Sequence, residues 1–254
     1  MVDVKAMSYG VIPKGSTLEK INVDLILNAV ATILHSQILE DQASSKIIAP
    51  GSDVFFFSEE KYILEKPEAF DKARIALLRE SPSVENIFDF MKALYDCAQF
   101  SSECCIISLV YINRIIAFTE MPLQPTNWRP LVLCSLLVAQ KVWDDRYLSN
   151  ADFAFIYPFF VTEEINKLEQ KFLELIQYNV TVKSNLYAKY YFELRGLFKD
   201  NEKDFPLQQI TEGDAKLLEQ RSREYKDIFE GEGQKAKKKN NSTFGQLQTK
   251  NIWD

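Results

Sequence analysis

The chain has 254 residues, 46% of them hydrophobic and 26% charged, with a formal charge of −6 and a sequence pI near 5.1. That is enough to bury a substantial core in one large domain, or in one domain with extensions. The acidic balance argues against a nucleic-acid binder, which presents a basic face. Met1-Val2-Asp3-Val4-Lys5 lacks the layout of a signal peptide and has Val2 where N-myristoylation requires glycine. The longest apolar runs, 104–112 and 130–139, are short for a bilayer span and read as core helices. The expectation is a soluble protein without a membrane anchor, cytoplasmic and with the nucleus as a second location.

Helical periodicity runs through nearly the whole chain, and no alternating strand pattern stands out. A first amphipathic helix is predicted over 18–39, with Val23, Ile26, Leu27, Val30, Ile33 and Leu34 as its stripe and Ser16 or Thr17 as caps. Residues 41–80 read as irregular, with a turn at Pro50-Gly51, an apolar cluster at 54–57 and a short helix over 67–79. Ser83 caps a helix to about residue 100, and Ser101-Ser102 begins another to about 120. Pro122 and Pro125 force a connector, after which Thr126 or Asn127 opens a third helix with Pro130 in its tolerant first turn. Asn150 is the predicted cap of a short helix over 151–157. Thr162 is the predicted cap of the next, over 163–178, with Asn179 suited to a left-handed exit. Two further helices follow at 184–198 and about 211–229. The tail 231–254, with its basic run at 235–239, reads as disordered.

From Cys104 to Gln140 only Arg114, Glu120 and Arg129 carry charge. Helices so uniformly apolar are surrounded by other helices. The stretch then breaks into Lys141-Val142-Trp143-Asp144-Asp145-Arg146, a polar segment at the mouth of the core. Two carboxylates there would face the negative end of a helix dipole, so Arg146, Lys141 or a partner should compensate them. On the fifth helix the stripe is Ile165, Leu168, Phe172, Leu175 and Ile176, and Glu169 falls on it. A charge in that position is costly unless paired. It is either a flanking glutamate that reaches water or pairs with Lys141 in the same chain, or a carboxylate offered to another protein.

Signatures of catalysis are missing: no glycine-rich phosphate loop, no GxSxG, no HExxH, and a single histidine, His35, on an amphipathic helix. Cys97, Cys104, Cys105 and Cys134 form no CxxC pair and read as small buried hydrophobes rather than ligands. Neither a cofactor nor a metal is expected.

Three runs then carry a family resemblance. Ala139-Gln140-Lys141-Val142-Trp143-Asp144-Asp145 resembles the end of the third helix of the cyclin box, residues 168–175 resemble its fifth helix, and Tyr111-Ile112-Asn113-Arg114 resembles its second. Pro125-Thr126-Asn127-Trp128-Arg129, residues 187–195 and Phe205-Pro206-Leu207 are similar to the cyclin Y branch. The resemblance implies an all-α fold with the five-helix cyclin box over 81–180. An N-terminal extension, 1–80, precedes it, helices over 181–230 pack on it, and a disordered tail follows.

The same resemblance implies a non-catalytic subunit that binds a cyclin-dependent kinase of the PCTAIRE or PFTAIRE class and holds its C-helix in the active position. By position it assigns kinase contacts to Lys141, Glu169, Val142 and Tyr178. It also implies a 14-3-3-type adaptor as a further partner, with Ser242 as the tail candidate beside the reading of an unmodified serine. Residues 87–91, Ile87-Phe88-Asp89-Phe90-Met91, depart from the MRAIL-type motif that docks RxL peptides. The competing expectation is a cyclin-fold adaptor or scaffold of the transcription machinery.

Overall fold

The computed structural model describes residues 22–44 and 46–197, and Lys216. All of these but Lys216 lie in the compact unit Lys20–Phe205. The expectations for Ser16, Thr17, the helix over 211–229, the Phe205-Pro206-Leu207 motif, the tail and Ser242 fall outside the described residues. The fold is all-α. Its helices are α1 (Val23–Ala43), α2 (Glu59–Glu65), α3 (Lys72–Arg79), α4 (Val84–Ala98), α5 (Ser102–Thr119), α6 (Trp128–Trp143), α7 (Asn150–Ile156), α8 (Thr162–Leu175) and α9 (Ser184–Gly196). Short 3-10 turns occupy Asp53–Phe57 and Pro67–Ala69, and the described residues contain no strand.

The least charged part of the sequence forms the centre. Every residue of α6 from Pro130 to Gln140 is buried, as is every residue of α5 from Cys104 to Ile112. These two helices pack along each other, α8 covers α6, and α1 lies across α4 and α5. With Leu131, Leu133, Leu136 and Leu137 wholly excluded from water, each leucine contributes about 1.5–3 kcal/mol. By length and apolarity α1 and α5 could each cross a membrane, but their apolar faces are taken up by other helices of the bundle.

Hydrogen bonds fix the connectors. α5 ends on Glu120 in left-handed backbone, φ 54°, ahead of Pro122. The next residues are held by Asp41, whose Oδ2 accepts from the Leu123 N–H at 2.7 Å, and by Asn127. Asn127 accepts from the Gln124 N–H and donates to the Pro122 carbonyl, at 2.7 and 2.9 Å. Asn127 therefore spends its side chain on the loop behind it while standing at the N-cap of α6.

Residues 41–80 are more ordered than their irregular pattern suggests. The apolar cluster winds into the 3-10 turn Asp53–Phe57 and buries Phe57 edge-on against Phe172 of α8, with centroids 6.1 Å apart. α2 then turns Tyr62 and Ile63 inward. Tyr62 meets Phe159 and Phe160, and Phe70 meets Phe159, in one aromatic cluster. Ion pairs Asp53–Lys171 (2.6 Å) and Lys66–Glu164 (2.5 Å) tie the segment to α8. A seven-residue helix with three buried residues, one of them Glu59, is too short for periodicity to reveal.

Several local expectations are corrected. α1 starts at Val23 with Asn22 as its cap, the Asp24 N–H donating to the Asn22 side chain at 3.0 Å, and it continues to Ala43. Ser149 rather than Asn150 caps α7, in a reciprocal box with Asp152. α8 begins at Thr162 itself, and Glu164 reaches back to accept from the Val161 N–H at 3.0 Å. The left-handed exit from α8 falls on Gln177 and Tyr178, not Asn179. Cys97 is exposed, whereas the other three cysteines are buried.

Candidate functional site

The polar break after the core is a corner between the C-terminal end of α6 and the middle of α8. Lys141 occupies the last turn of α6, where the negative end of the helix dipole favours a cation. Glu169 projects from α8 toward it. Lys141 Nζ donates to Glu169 Oε1 at 2.7 Å and to Oε2 at 2.9 Å. The two side chains keep 26% and 18% exposure. The charge on the apolar stripe is thus paired within the chain and still open to one side. Of the two alternatives read from the sequence, the structure shows the pairing with Lys141 in the same chain.

Two apolar side chains flank the break. Val142 is 45% exposed and Tyr178 63%. Neither side chain takes part in the hydrogen bonds of the pair. Trp143, not singled out in the sequence, is 44% exposed beside Val142. Its indole Nε1 donates to the Tyr111 hydroxyl at 3.3 Å, and Tyr111 donates to the Val180 carbonyl at 2.7 Å. One tyrosine of α5 therefore links the end of α6 to the chain just after Tyr178.

Arg114, one turn along α5, completes that link. It donates to the carbonyls of Asn179 (2.5 Å) and Thr181 (2.8 Å). These bonds explain why the left-handed exit lies two residues early. With the carbonyls of 179–181 drawn toward α5, the reversal must be finished by Tyr178. Gln177 and Tyr178 adopt φ 55° and 53°. Backbone of this kind costs about 1–3 kcal/mol per non-glycine residue and persists only where its surroundings over-determine it. The Tyr178 N–H adds a bond to the Leu173 carbonyl at 2.8 Å. Tyr111-Ile112-Asn113-Arg114 is therefore a clamp that sets where Tyr178 stands, and Asn113 extends it to α9 by donating to the Tyr190 hydroxyl at 2.9 Å.

Asp144 finds its compensation inside the fold. Its Oδ2 accepts from the Ser101 N–H at 2.9 Å, at the positive N-terminal end of α5. Among the described residues no ion pair joins it to Arg146 or Lys141. Lys141 is instead committed to Glu169 and to Asn150 Oδ1, which accepts at 2.6 Å. The Asn150 amide in turn donates to Glu169 Oε2 and to Asn166 Oδ1, both at 2.7 Å. Gln140, next to Lys141 and fully buried, braces the loop that leads to Asn150. It donates to the Leu148 carbonyl and accepts from the Leu148 N–H, at 2.9 and 3.1 Å.

A second buried polar group lies apart from this corner. Glu59 is fully buried, accepting from Arg129 Nη1 at 3.1 Å and from the Tyr157 hydroxyl at 2.9 Å. Burial pushes its carboxyl up to about 7, against the pull of the Arg129 charge and the two hydrogen bonds. Its groups are all spent on joining α2, α6 and the end of α7, so its role is structural.

The corner brings polar and apolar groups together. It offers a fixed ammonium, a carboxylate with unused lone pairs and three exposed apolar side chains on rigid helix ends. That is the make-up of a protein-binding hot spot with a polar centre. Compared with known families, the chain matches the family model described as Cyclin over residues 22–180, well over half of its length.

Proposed function

The chain belongs to the cyclin family, whose members are generally non-catalytic regulatory subunits that partner with cyclin-dependent kinases, and we propose that it is a cyclin Y-like activator of a PCTAIRE- or PFTAIRE-class serine/threonine kinase. In this reading the cyclin box spans residues 81–180, with α1 and the 53–79 segment bracing it. Lys141 and Glu169 grip the kinase backbone beside its C-helix, and Val142 and Tyr178 supply apolar contacts. The C-helix is thereby held inward, where its glutamate meets the active-site lysine. A 14-3-3-type adaptor at Ser242 belongs to the same reading, as does a cytoplasmic location with a nuclear fraction.

One observation carries the proposal: the Lys141–Glu169 pair, 2.7 Å apart, lies only partly covered at the end of a helix whose residues from Pro130 to Gln140 are all buried. For stability alone, such a position is served as well by apolar residues, because desolvating two charges cancels much of their attraction. A site that must exchange hydrogen bonds with another backbone has reason to keep them. The test is reconstitution of the purified chain with PCTAIRE- and PFTAIRE-class kinases, followed by a phosphotransfer assay on a peptide substrate. A stable pair with raised kinase activity is the expected result. A stable pair without activation would make the chain a scaffold. Binding to duplex DNA at moderate salt with no kinase bound would make it a transcription adaptor.

A further inference from the structure

Asn150 was expected to cap α7, but Ser149 does that work and leaves the Asn150 side chain, on a residue 9% exposed, turned inward. All of its hydrogen-bonding groups meet the Lys141–Glu169 pair or its support. Oδ1 accepts from Lys141 at 2.6 Å, and Nδ2 donates to Glu169 Oε2 and Asn166 Oδ1, both at 2.7 Å. Lys141 Nζ thereby lies within hydrogen-bonding distance of three acceptors, Glu169 Oε1, Glu169 Oε2 and Asn150 Oδ1. A primary carboxamide can accept from an ammonium and donate to a carboxylate at once. An aspartate would place a second negative charge against Glu169. An aliphatic residue would take one acceptor from the ammonium and leave Glu169 Oε2 with Lys141 alone.

We infer that Asn150 is a positioning residue for partner binding, fixing Lys141 and Glu169 in the geometry in which they receive the partner. The inference rests on the kinase-binding reading of that pair. Lysine and glutamate are rotamer-rich, and a partner that had to order both would bind more weakly. Asn150 does the ordering beforehand. It is held for the task by the Asn166 amide and by the Ser149–Asp152 box that fixes the first turn of α7.

The test has a part in the free protein and a part with kinase. In the free wild-type chain the Lys141 ammonium should give a slowly exchanging resonance in the nitrogen–proton spectrum. That resonance should be lost in Asn150→Ala. An equally protected ammonium in the variant overturns the inference whether or not any kinase binds. With a purified PCTAIRE-class kinase, Asn150→Ala should weaken binding about ten-fold, but less than about two-fold in a Lys141→Met background. Asn150→Asp, close in shape and retaining the acceptor for Lys141, should weaken binding as well, and it supplies the test should the alanine variant fold poorly. An equal loss in both backgrounds means that Asn150 acts only through the stability of α7 and contradicts the inference. Tighter binding by Asn150→Ala contradicts it too, since the amide would then compete with the partner. If Lys141→Met alone leaves affinity unchanged, the kinase-binding reading itself fails, a result distinct from these.

Discussion

Lys141 and Glu169 show how far single residues can be read. Spacing alone places a carboxylate on the apolar stripe of α8 and a lysine at the end of α6. Their 2.7 Å contact follows from the packing of α6 on α8, which no local pattern encodes. Asn150 was legible as a helix-start residue but not as the bridge of the pair, because both Ser149 and Asn150 fit a cap and only the fold decides between them. Glu59 was invisible for the same reason: its partners Arg129 and Tyr157 lie far along the chain.

Glu59 nevertheless makes a prediction at this scale. Its carboxyl, ordinarily near 4.5, is raised to about 7 in the folded protein by burial. Between those values the folded state holds a proton that the unfolded state has lost, so stability falls as pH rises across the window. The contribution is fully present below the lower value and gone above the upper one. Glu59→Gln, neutral throughout, lacks this fall. Denaturant titrations at pH 5 and pH 8 should therefore show the stability difference moving in favour of the variant at pH 8, by on the order of 2 kcal/mol. A difference independent of pH would contradict the account.

Among the elements, α5 has two jobs that its sequence only half reveals. Its run of buried residues was plain from composition, whereas the clamp formed by Tyr111 and Arg114 was seen only as a motif without a geometry. Bonding to the 179–181 carbonyls, it places two successive residues in left-handed backbone and sets Tyr178 outward. Arg114→Met removes two charge-assisted bonds and should cost about 1.5–3 kcal/mol in unfolding free energy. It should weaken kinase binding at the same time, since the turn that carries Tyr178 is released. Tyr178→Ala should weaken binding with the melting temperature within error of wild type, because the ring is largely exposed. Calorimetric melts and binding titrations on the two variants check both statements, and a Tyr178→Ala variant that melts early would show that the ring has a packing role.

For the whole molecule, the charge-poor centre divides the effects of substitution by depth. Leu137, wholly buried in α6, and Val142, exposed one and a half turns further on, lie on the same helix. Leu137→Ala should destabilise by about 2–5 kcal/mol. Val142→Ala should change stability by no more than about 0.5 kcal/mol while reducing kinase affinity. Chemical denaturation beside a binding assay checks the contrast. The all-α class and the central place of α5 and α6 were open to composition and periodicity, since both follow from local pattern and gross polarity. The 53–79 segment was open only in part: the 54–57 cluster and a helix within 67–79 were expected, but α2 and the packing of the segment were not. Its order comes from an aromatic cluster shared with 157–160 and from ion pairs to α8, all of them long-range.

The central claim is that the α6–α8 corner grips a kinase, and it is tested most directly by exchanging the two charges. In Lys141→Glu with Glu169→Lys the internal pair is kept with its polarity reversed, and the Asn150 amide can both donate and accept. Helical content and thermal melting should therefore stay near wild type. Every hydrogen bond offered to the kinase backbone is inverted, however, so calorimetric titration with a PCTAIRE-class kinase should show a loss of about 2–5 kcal/mol in binding free energy. A doubly substituted chain that binds the kinase with full affinity would contradict the assignment.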